Sequence, residues 1–218
     1  MFVGHYAAAI AAKTAAPRAP LWSYALACQA LDLGWGALVP LGVEKVRIDP
    51  GLQGSTLDLY FMPFTHSLPA ALIWSAAGVG LARAARLPWS ASLMLGAVVF
   101  SHWGLDLLVH RPDLELGFAP GKAGLGLWNL PVVEMTLEIG LLAVTGALWA
   151  ARRTRHARSA WPAAAFLAFL VALQIVVQFV GPAPSATPLE IGLPALVVYL
   201  IVGFMAWLAD RGPKAVEA

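Results

Sequence analysis

Long apolar segments separated by short basic clusters are the feature that most limits how this chain can fold. Six segments are each long enough for an α-helix to cross a bilayer, which takes about 20 apolar residues. They cover residues 21–42, 64–82, 87–109, 130–151, 161–180 and 189–208. Of the 218 residues, 60% are hydrophobic and 12% are charged, whereas soluble domains carry about 25% charged residues. The sequence therefore predicts an all-α polytopic membrane helical bundle in a single transmembrane domain, 1–218. It has six full spans plus an N-terminal half-span or short seventh helix at residues 3–16.

Positively charged residues lie at the ends of alternate spans. The clusters are Lys13 with Arg18, Arg83 with Arg86, Arg152 to Arg158, and Arg211 with Lys214. Because cytoplasmic loops of membrane proteins are enriched in Lys and Arg, all four clusters are predicted to be cytoplasmic. The loops at 43–63 and 110–129 are then outer loops, and the C-terminus is cytoplasmic. We expect a multi-pass protein of the cell inner membrane, and a net charge of +2 indicates no nucleic-acid partner.

Ionisable residues inside the apolar segments are the second informative feature. His102, Asp106 and His110 are spaced i, i+4 and i+8, so they share one face of a helix. Such groups are costly in a membrane span and by default mark function. Five more candidates lie in or beside other segments: His5, Asp32, His66, Glu134 and Glu138.

Counting residues from the basic turns places these groups at one depth. His5 lies 13 residues before Arg18 and Asp32 lies 14 after it, while His102 lies 16 after Arg86. The corresponding counts are 17 for His66, 14 for Glu138 and 18 for Glu134. At about 1.5 Å per residue, they lie about 20–27 Å above the inner face. We therefore expect one site in the outer half of the bilayer, facing the outer side.

Imidazole and carboxylate groups gathered in this way favour a metal centre. The candidate ligands are His5, Asp32, His66, His102, Asp106, His110, Glu134 and Glu138. Eight ligands exceed one tetrahedral zinc and indicate two or three zinc ions with Asp106 bridging, although other divalent metals accept similar ligands. Structural roles stay open for some of them. A lone intramembrane histidine is often an interhelical hydrogen-bond partner, His110 also fits a loop surface, and burial can keep Glu134 and Glu138 protonated.

Three residues outside the ligand set are candidates for contacts with a substrate. Arg47 and Arg111 lie in the outer loops, and a guanidinium group suits phosphate, although a solvated charge or a lipid head-group contact explains each equally well. Trp128 is a further candidate and also fits an interfacial anchor. Gln174 and Gln178, spaced i, i+4, are expected to hold helices together.

Four short motifs resemble the YdjM-like family of bacterial inner-membrane metal-dependent hydrolases. They are Gly4-His5, Ala30-Leu31-Asp32, Thr65-His66-Ser67 and His102-x3-Asp106, and the resemblance covers roughly residues 1–115. It implies a membrane-bound, metal-dependent hydrolase. The chain departs from the family after Asp32, where Leu-Gly-Trp replaces the usual acidic cluster.

A weaker similarity connects the chain to the zinc-dependent phospholipase C and nuclease group, which are helical proteins with three zinc ions. The order of ligands in that group is similar to His5, Asp32, His66, His102-x3-Asp106, His110 and Glu134-x3-Glu138. This chain has Glu134 where the group has a histidine, and the proteins of the group are soluble. The similarity implies phosphoester hydrolysis.

The expected function is metal-dependent hydrolysis of a phosphoester in a membrane lipid or lipid-linked small molecule. Asp32, His102 and Asp106 are the expected catalytic residues, because metal ions bound there activate water. One alternative is a zinc amidase or esterase of the ceramidase type, although the paired His-x3-His of those enzymes is missing from the final span. Another is a metal ion or proton-coupled transporter, but the inner half of each span is almost entirely apolar.

Overall fold

The computed structural model describes residues 1–117 and 121–211, and this part of the chain is mostly helical. The helices are α1 (His5–Ala15), α2 (Leu21–Ala27), α3 (Ala30–Leu38), α4 (Leu68–Ala84), α5 (Trp89–Val109), α6 (Pro131–Arg155), α7 (Trp161–Phe179) and α8 (Pro188–Asp210). The strands are β1 (Lys45–Ile48), β2 (Leu57–Phe61), β3 (Leu114–Glu115) and β4 (Lys122–Ala123), and a 3₁₀ turn covers Leu127–Asn129. The helical class predicted from the sequence is confirmed.

Four of these helices, α5 to α8, are long and apolar enough to cross a membrane, which agrees with a membrane protein. Six full spans are not confirmed among the described residues. The apolar helix α4 has 17 residues, because the chain before it is not helical and the Ser67 hydroxyl caps its first turn by accepting from Ala70 N–H. The predicted half-span at 3–16 is the short helix α1, whose 11 residues begin at His5.

The segment 21–42, predicted as one span, is divided into α2 and α3. Cys28 and Gln29 separate the two helices, and the Gln29 amide bonds to the carbonyl of Leu26 rather than continuing a regular α-helical ladder. The first bond of α3 runs from Leu33 N–H to the Gln29 carbonyl, so the carbonyl of Cys28 lies outside that helix. The Cys28 carbonyl is not used within α3, and it accepts a hydrogen bond from His102 of the candidate site.

The two predicted outer loops contain antiparallel hairpins. In the first, β1 pairs with β2, and in the second β3 pairs with β4, although residues 118–120 lie outside the described part. Arg111 connects the loops, because its Nη2 donates to the carbonyls of Gln53 and Ser55. The loops therefore pack together at one end of the helices.

The opposite end of the bundle collects basic residues. Lys13 forms an ion pair with Asp210 at 2.9 Å, Arg158 donates to the carbonyl of Asp210, and Arg153 donates to that of Ala209. Residues from three of the four predicted basic clusters or their flanks thus meet, while Lys214 lies outside the described residues. The side of the membrane on which this end lies stays a prediction.

A closely packed apolar core occupies the bundle near this basic end. It includes Ile10 of α1, Val98 of α5, Leu142 of α6 and Val202 of α8, all buried. Each lies about one turn nearer the basic end than a polar residue of its own helix that belongs to the site described below. These polar residues are His5, His102, Glu138 and Tyr199. The core therefore forms the floor beneath the site.

Candidate metal centre

Five of the predicted ligands come together from three helices and one turn. His5 opens α1, Asp32 lies in the first turn of α3, His66 precedes α4, and His102 and Asp106 lie one turn apart on α5. Their ligand atoms form two groups, each within 4.8 Å, that could hold a metal ion. The groups are His5, His102 and Asp106, and Asp32, His66 and His102. The convergence predicted by counting residues is present.

His102 is oriented by the main chain of the break between α2 and α3. Its Nδ1 lies 2.7 Å from the carbonyl oxygen of Cys28. Because a carbonyl only accepts, Nδ1 must carry a proton, and in the neutral imidazole Nε2 then presents its lone pair. That Nε2 is buried and has no hydrogen-bond partner among the described residues. It faces Asp106 Oδ2 at 3.1 Å and Asp32 Oδ1 at 3.6 Å.

His66 is oriented by a chain of hydrogen bonds that begins at Glu44, in the loop 43–63. The buried Glu44 carboxylate accepts the Thr65 hydroxyl at 2.7 Å and the main-chain N–H groups of Phe64 and Thr65. The Thr65 proton is used in this bond, so the hydroxyl oxygen accepts from His66 Nδ1, also 2.7 Å away. Nε2 of His66 is therefore the free atom, 3.2 Å from Asp32 Oδ1 and 3.6 Å from Asp106 Oδ2.

The two aspartates are each held so that at least one oxygen faces the histidines. Tyr199 of α8 donates to Asp32 Oδ2 at 2.8 Å, which leaves Oδ1 for the centre. Asp106 Oδ1 accepts from the amino group of Met1 at 2.9 Å, and Oδ2 faces three imidazoles. Asp106, with both oxygens engaged, is placed to bridge.

The separations between these ligand atoms fit a bound cation. In a tetrahedral zinc site with bonds of about 2.0–2.1 Å, neighbouring ligand atoms are about 3.3–3.4 Å apart. Asp32 Oδ1, His66 Nε2, His102 Nε2 and Asp106 Oδ2 give four such separations, of 3.1 to 3.6 Å. Lone pairs on nitrogen and carboxylate oxygen repel at these distances unless a proton or a metal lies between them. Imidazole nitrogens and carboxylate oxygens at these separations could therefore hold a metal ion.

His5 and His110 extend this set on either side of Asp106. The His5 ring stacks on His102 with centroids 3.7 Å apart, and its Nε2 lies 3.1 Å from Asp106 Oδ1. His110 donates from Nδ1 to Asp113 at 2.8 Å, and its Nε2 lies 3.5 Å from Asp106 Oδ2. Both rings are buried. The surface position left open for His110 therefore does not match its environment.

The two glutamates of α6 have different surroundings. Glu138 is fully buried and accepts from the main-chain N–H groups of Phe2 and Gly4, at 2.9 and 2.7 Å, so it holds the segment that leads into His5. Glu134 is nearly buried and lines the cavity described below. Both glutamates line that cavity, and Glu138 in addition holds the main chain before His5.

The residues predicted to bind substrate are less closely associated with the centre. Arg47 pairs with Asp58 at 2.6 Å on the exposed hairpin. Arg111 binds the loop carbonyls and Asn129, and partial burial lowers its pKa from the ordinary value. Trp128 does reach the site, since it packs on His110 with ring centroids 4.1 Å apart. Neither arginine is among the described residues that line the cavity.

A cavity of about 840 Å³ leads away from the metal ligands. Asp32, His66, Asp106 and His110 lie on one side of it, and residues of α7 and α8 form the opposite wall. Its volume is within the range of about 300–1,000 Å³ that is typical of ligand sites. The arrangement can therefore bring a substrate of that size against a metal.

Sequence reasoning missed the groups that orient the ligands: Glu44, Thr65, Asp113, Tyr199 and the Cys28 carbonyl. Only Tyr199 had a recognisable signal, because a hydroxyl in the middle of an apolar span needs a partner. In comparisons with known proteins, no family model, no curated protein and no solved structure matches this chain. The basis for a function is therefore the site itself.

Proposed function

We propose that the protein is a membrane-embedded, metal-dependent hydrolase that cleaves a phosphoester of a lipid or lipid-linked substrate. The observation that carries the proposal is the set of imidazole nitrogens and carboxylate oxygens facing one another at tetrahedral separations beside a large cavity. We place the protein in a bacterial inner membrane, with the centre towards the outer side and the C-terminus in the cytoplasm.

The apolar floor beneath the centre favours an enzyme over a transporter. Transported ions need polar groups along a path across the membrane. Ile10, Val98, Leu142 and Val202 instead lie about one turn below the site, and all are buried in a shared core. A substrate entering the cavity reaches the centre and stops there.

Asp32, His66, His102 and Asp106 would hold the first ion, and Asp106 would share a second ion with His5. A divalent metal bound there polarises a phosphoryl oxygen and makes water nucleophilic near neutral pH. Hydrogen bonds within the protein keep the ligand side chains in their orientations. Nδ1 of His66 and of His102 carries a proton that is committed to a protein acceptor, so Nε2 is the ring nitrogen left to bind the ion.

Charge separates the phosphoester from the amide or ester alternative. The carboxylates of Asp32, Asp106 and Glu138, less the charge of the Met1 amino group beside Asp106, neutralise one divalent ion, whereas two ions leave the centre at about +2 to attract an anionic phosphoryl group. The described lining of the cavity contains no Arg or Lys side chain that could supply this charge. We therefore expect phosphoester cleavage to require two or more ions, whereas a single ion favours amide or ester hydrolysis of the ceramidase type.

The first test is metal content. Purified wild-type protein should contain two or three zinc ions per chain by elemental mass spectrometry, and His102→Ala and Asp106→Asn should each lose them. Asp58→Ala is the matched control, because it removes a carboxylate from the exposed hairpin pair with Arg47 and surface pairs contribute little. Equal metal content in the wild type and both site variants would refute the centre.

The second test follows the bond that is cleaved. Proteoliposomes containing anionic and zwitterionic phospholipids are assayed by ³¹P NMR for released phosphoryl groups and by mass spectrometry for released acyl chains. We expect phosphoester products from the wild type and Asp58→Ala, and none from His102→Ala. Acyl or amide products with one ion per chain would establish the alternative chemistry. Activity that survives complete metal removal would contradict both.

A further inference from the structure

The cavity beside the candidate metal centre has a mouth between α7 and α8. Val176 of α7 and Val180, which directly follows that helix, line the cavity, yet their side chains are 54% and 72% exposed. Residues that both line a cavity and face outward mark its opening. Ile191 and Val198, on the facing side of α8, continue the apolar wall inward. One opening therefore lies between two membrane helices, and the exposed Gly54, Gly181 and Pro182, which also line the cavity, mark another at the loop end.

The surroundings of this mouth are apolar. Both helices qualify as membrane spans, and the outward side chains beside the mouth are large and apolar, with Phe179 84% exposed and Leu193 52% exposed. A solute that enters here comes from the hydrocarbon layer rather than from water. Because lipid tails outside are as apolar as the cavity wall, hydrophobic burial provides little net affinity, and close packing and polar contacts must provide it.

One polar group in the wall meets that requirement. Gln174 of α7 lines the cavity, is only 4% exposed, and its Oε1 has no hydrogen-bond partner among the described residues. Buried polar groups in membranes are almost always paired, because water is not available to replace a missing partner. Gln174 was expected to hold helices together, yet its carboxamide oxygen has no partner among the described residues, and the residue lines a space large enough for a ligand.

We propose that this cavity binds the apolar chain of a lipid through the mouth between α7 and α8. The Gln174 carboxamide hydrogen-bonds the hydroxyl or amide group that joins this chain to the bond at the metal centre. The role of this lipid as substrate rests on the proposed hydrolase function, whereas the lipid site itself does not. The substrate class is thereby narrowed to lipids with a hydrogen-bonding group beside the cleaved bond.

Photo-crosslinking tests the lipid site without depending on catalysis. The probe is a phospholipid with a diazirine in its acyl chain, reconstituted with the protein, and the labelled peptides are mapped by mass spectrometry. We expect label on inward positions of α7 and α8 in the wild type and equally in metal-free Asp106→Asn. Val177→Trp, at the cavity wall, should reduce this label roughly tenfold, because the indole fills volume that the acyl chain would otherwise occupy. Ile175→Trp adds the same bulk outside the cavity lining and should leave the label unchanged.

Gln174→Leu tests the polar contact through two measurements, kcat/KM and the melting temperature. Losing one hydrogen bond to the substrate should lower kcat/KM about three- to tenfold. The melting temperature should stay the same or rise, because leucine removes an unpartnered polar group. A residue that held helices together would instead lower the melting temperature.

The outcomes separate this inference from the proposed function. Inward label without any hydrolysis supports the lipid site and refutes the hydrolase. Hydrolysis with label confined to outward residues such as Leu193, or label that is insensitive to Val177→Trp, refutes the lipid site and leaves the hydrolase standing. A lower melting temperature in Gln174→Leu refutes the role of that side chain.

Discussion

Replacing Thr65 by valine is the sharpest test of how the chain prepares its metal centre. The substitution keeps the shape of the side chain and removes the hydroxyl that connects Glu44 to His66. All the metal ligands remain in place. What is lost is the acceptor that keeps the proton on Nδ1 of His66 and the lone pair on Nε2.

The magnitude follows from the two hydrogen bonds that disappear. Partners that orient metal-binding histidines typically change metal affinity 10- to 100-fold, or about 1.4–2.7 kcal/mol. Glu44 also loses a charge-assisted bond in a buried position, which costs the folded protein about 1.5–3 kcal/mol. We therefore expect a dissociation constant for zinc that is 10- to 100-fold higher, with an unchanged number of ions at saturation, and a lower melting temperature.

The assay is competition for zinc against a chromophoric chelator in detergent, below the melting temperature of every variant. Thr145→Val is the matched control, because the Thr145 hydroxyl donates only to carbonyls of its own helix. Thr65→Ser retains the hydroxyl and should restore most of the affinity. Wild-type affinity in Thr65→Val, or an equal loss in Thr145→Val, would refute the argument from orientation.

Two further predictions concern α8 and the orientation of the bundle. Tyr199→Phe removes only the bond to Asp32 Oδ2, so zinc affinity should fall about tenfold while the ions bound at saturation stay the same; an unchanged dissociation constant in the same competition assay contradicts this. For orientation, an impermeant maleimide added to intact cells should label Gln53→Cys but not Arg155→Cys, since both positions are exposed and the native Cys28 is buried. The reverse pattern places the centre on the cytoplasmic side.

The clustering of the candidate ligands could be predicted from the sequence, because ionisable residues in apolar segments are conspicuous there. His5, Asp32, His66, His102 and Asp106 stand out in apolar segments, where a charged group needs a reason. Counting residues from the basic turns then gave their common depth, since helix rise is nearly constant. These two regularities were sufficient to place five ligands from separate parts of the chain in one site.

The partners of the ligands could not be predicted in the same way. Glu44 lies in a polar loop among other charges, and nothing in its neighbourhood indicates that it is buried or that it bonds Thr65. Arg47 and Arg111 illustrate the converse. Their charge suits phosphate, but Asp58 and the loop carbonyls engage them at the hairpins. A loop residue's partner depends on how the hairpins pack, which periodicity does not encode.

The break between α2 and α3 shows why apolar length alone overestimated the spans. The residues around it, from Ala27 to Ala30, include no proline or glycine, so the sequence favours a continuous helix. In such a helix the Cys28 carbonyl would accept from the amide of Asp32 four residues later. His102 Nδ1 would then share this acceptor with the Asp32 amide, which would weaken the preference for the tautomer that presents Nε2 to the centre. In the membrane a carbonyl can leave a helix only if another donor replaces the lost bond. His102 is that donor, so the interruption of the helix and the orientation of the ligand stabilise each other.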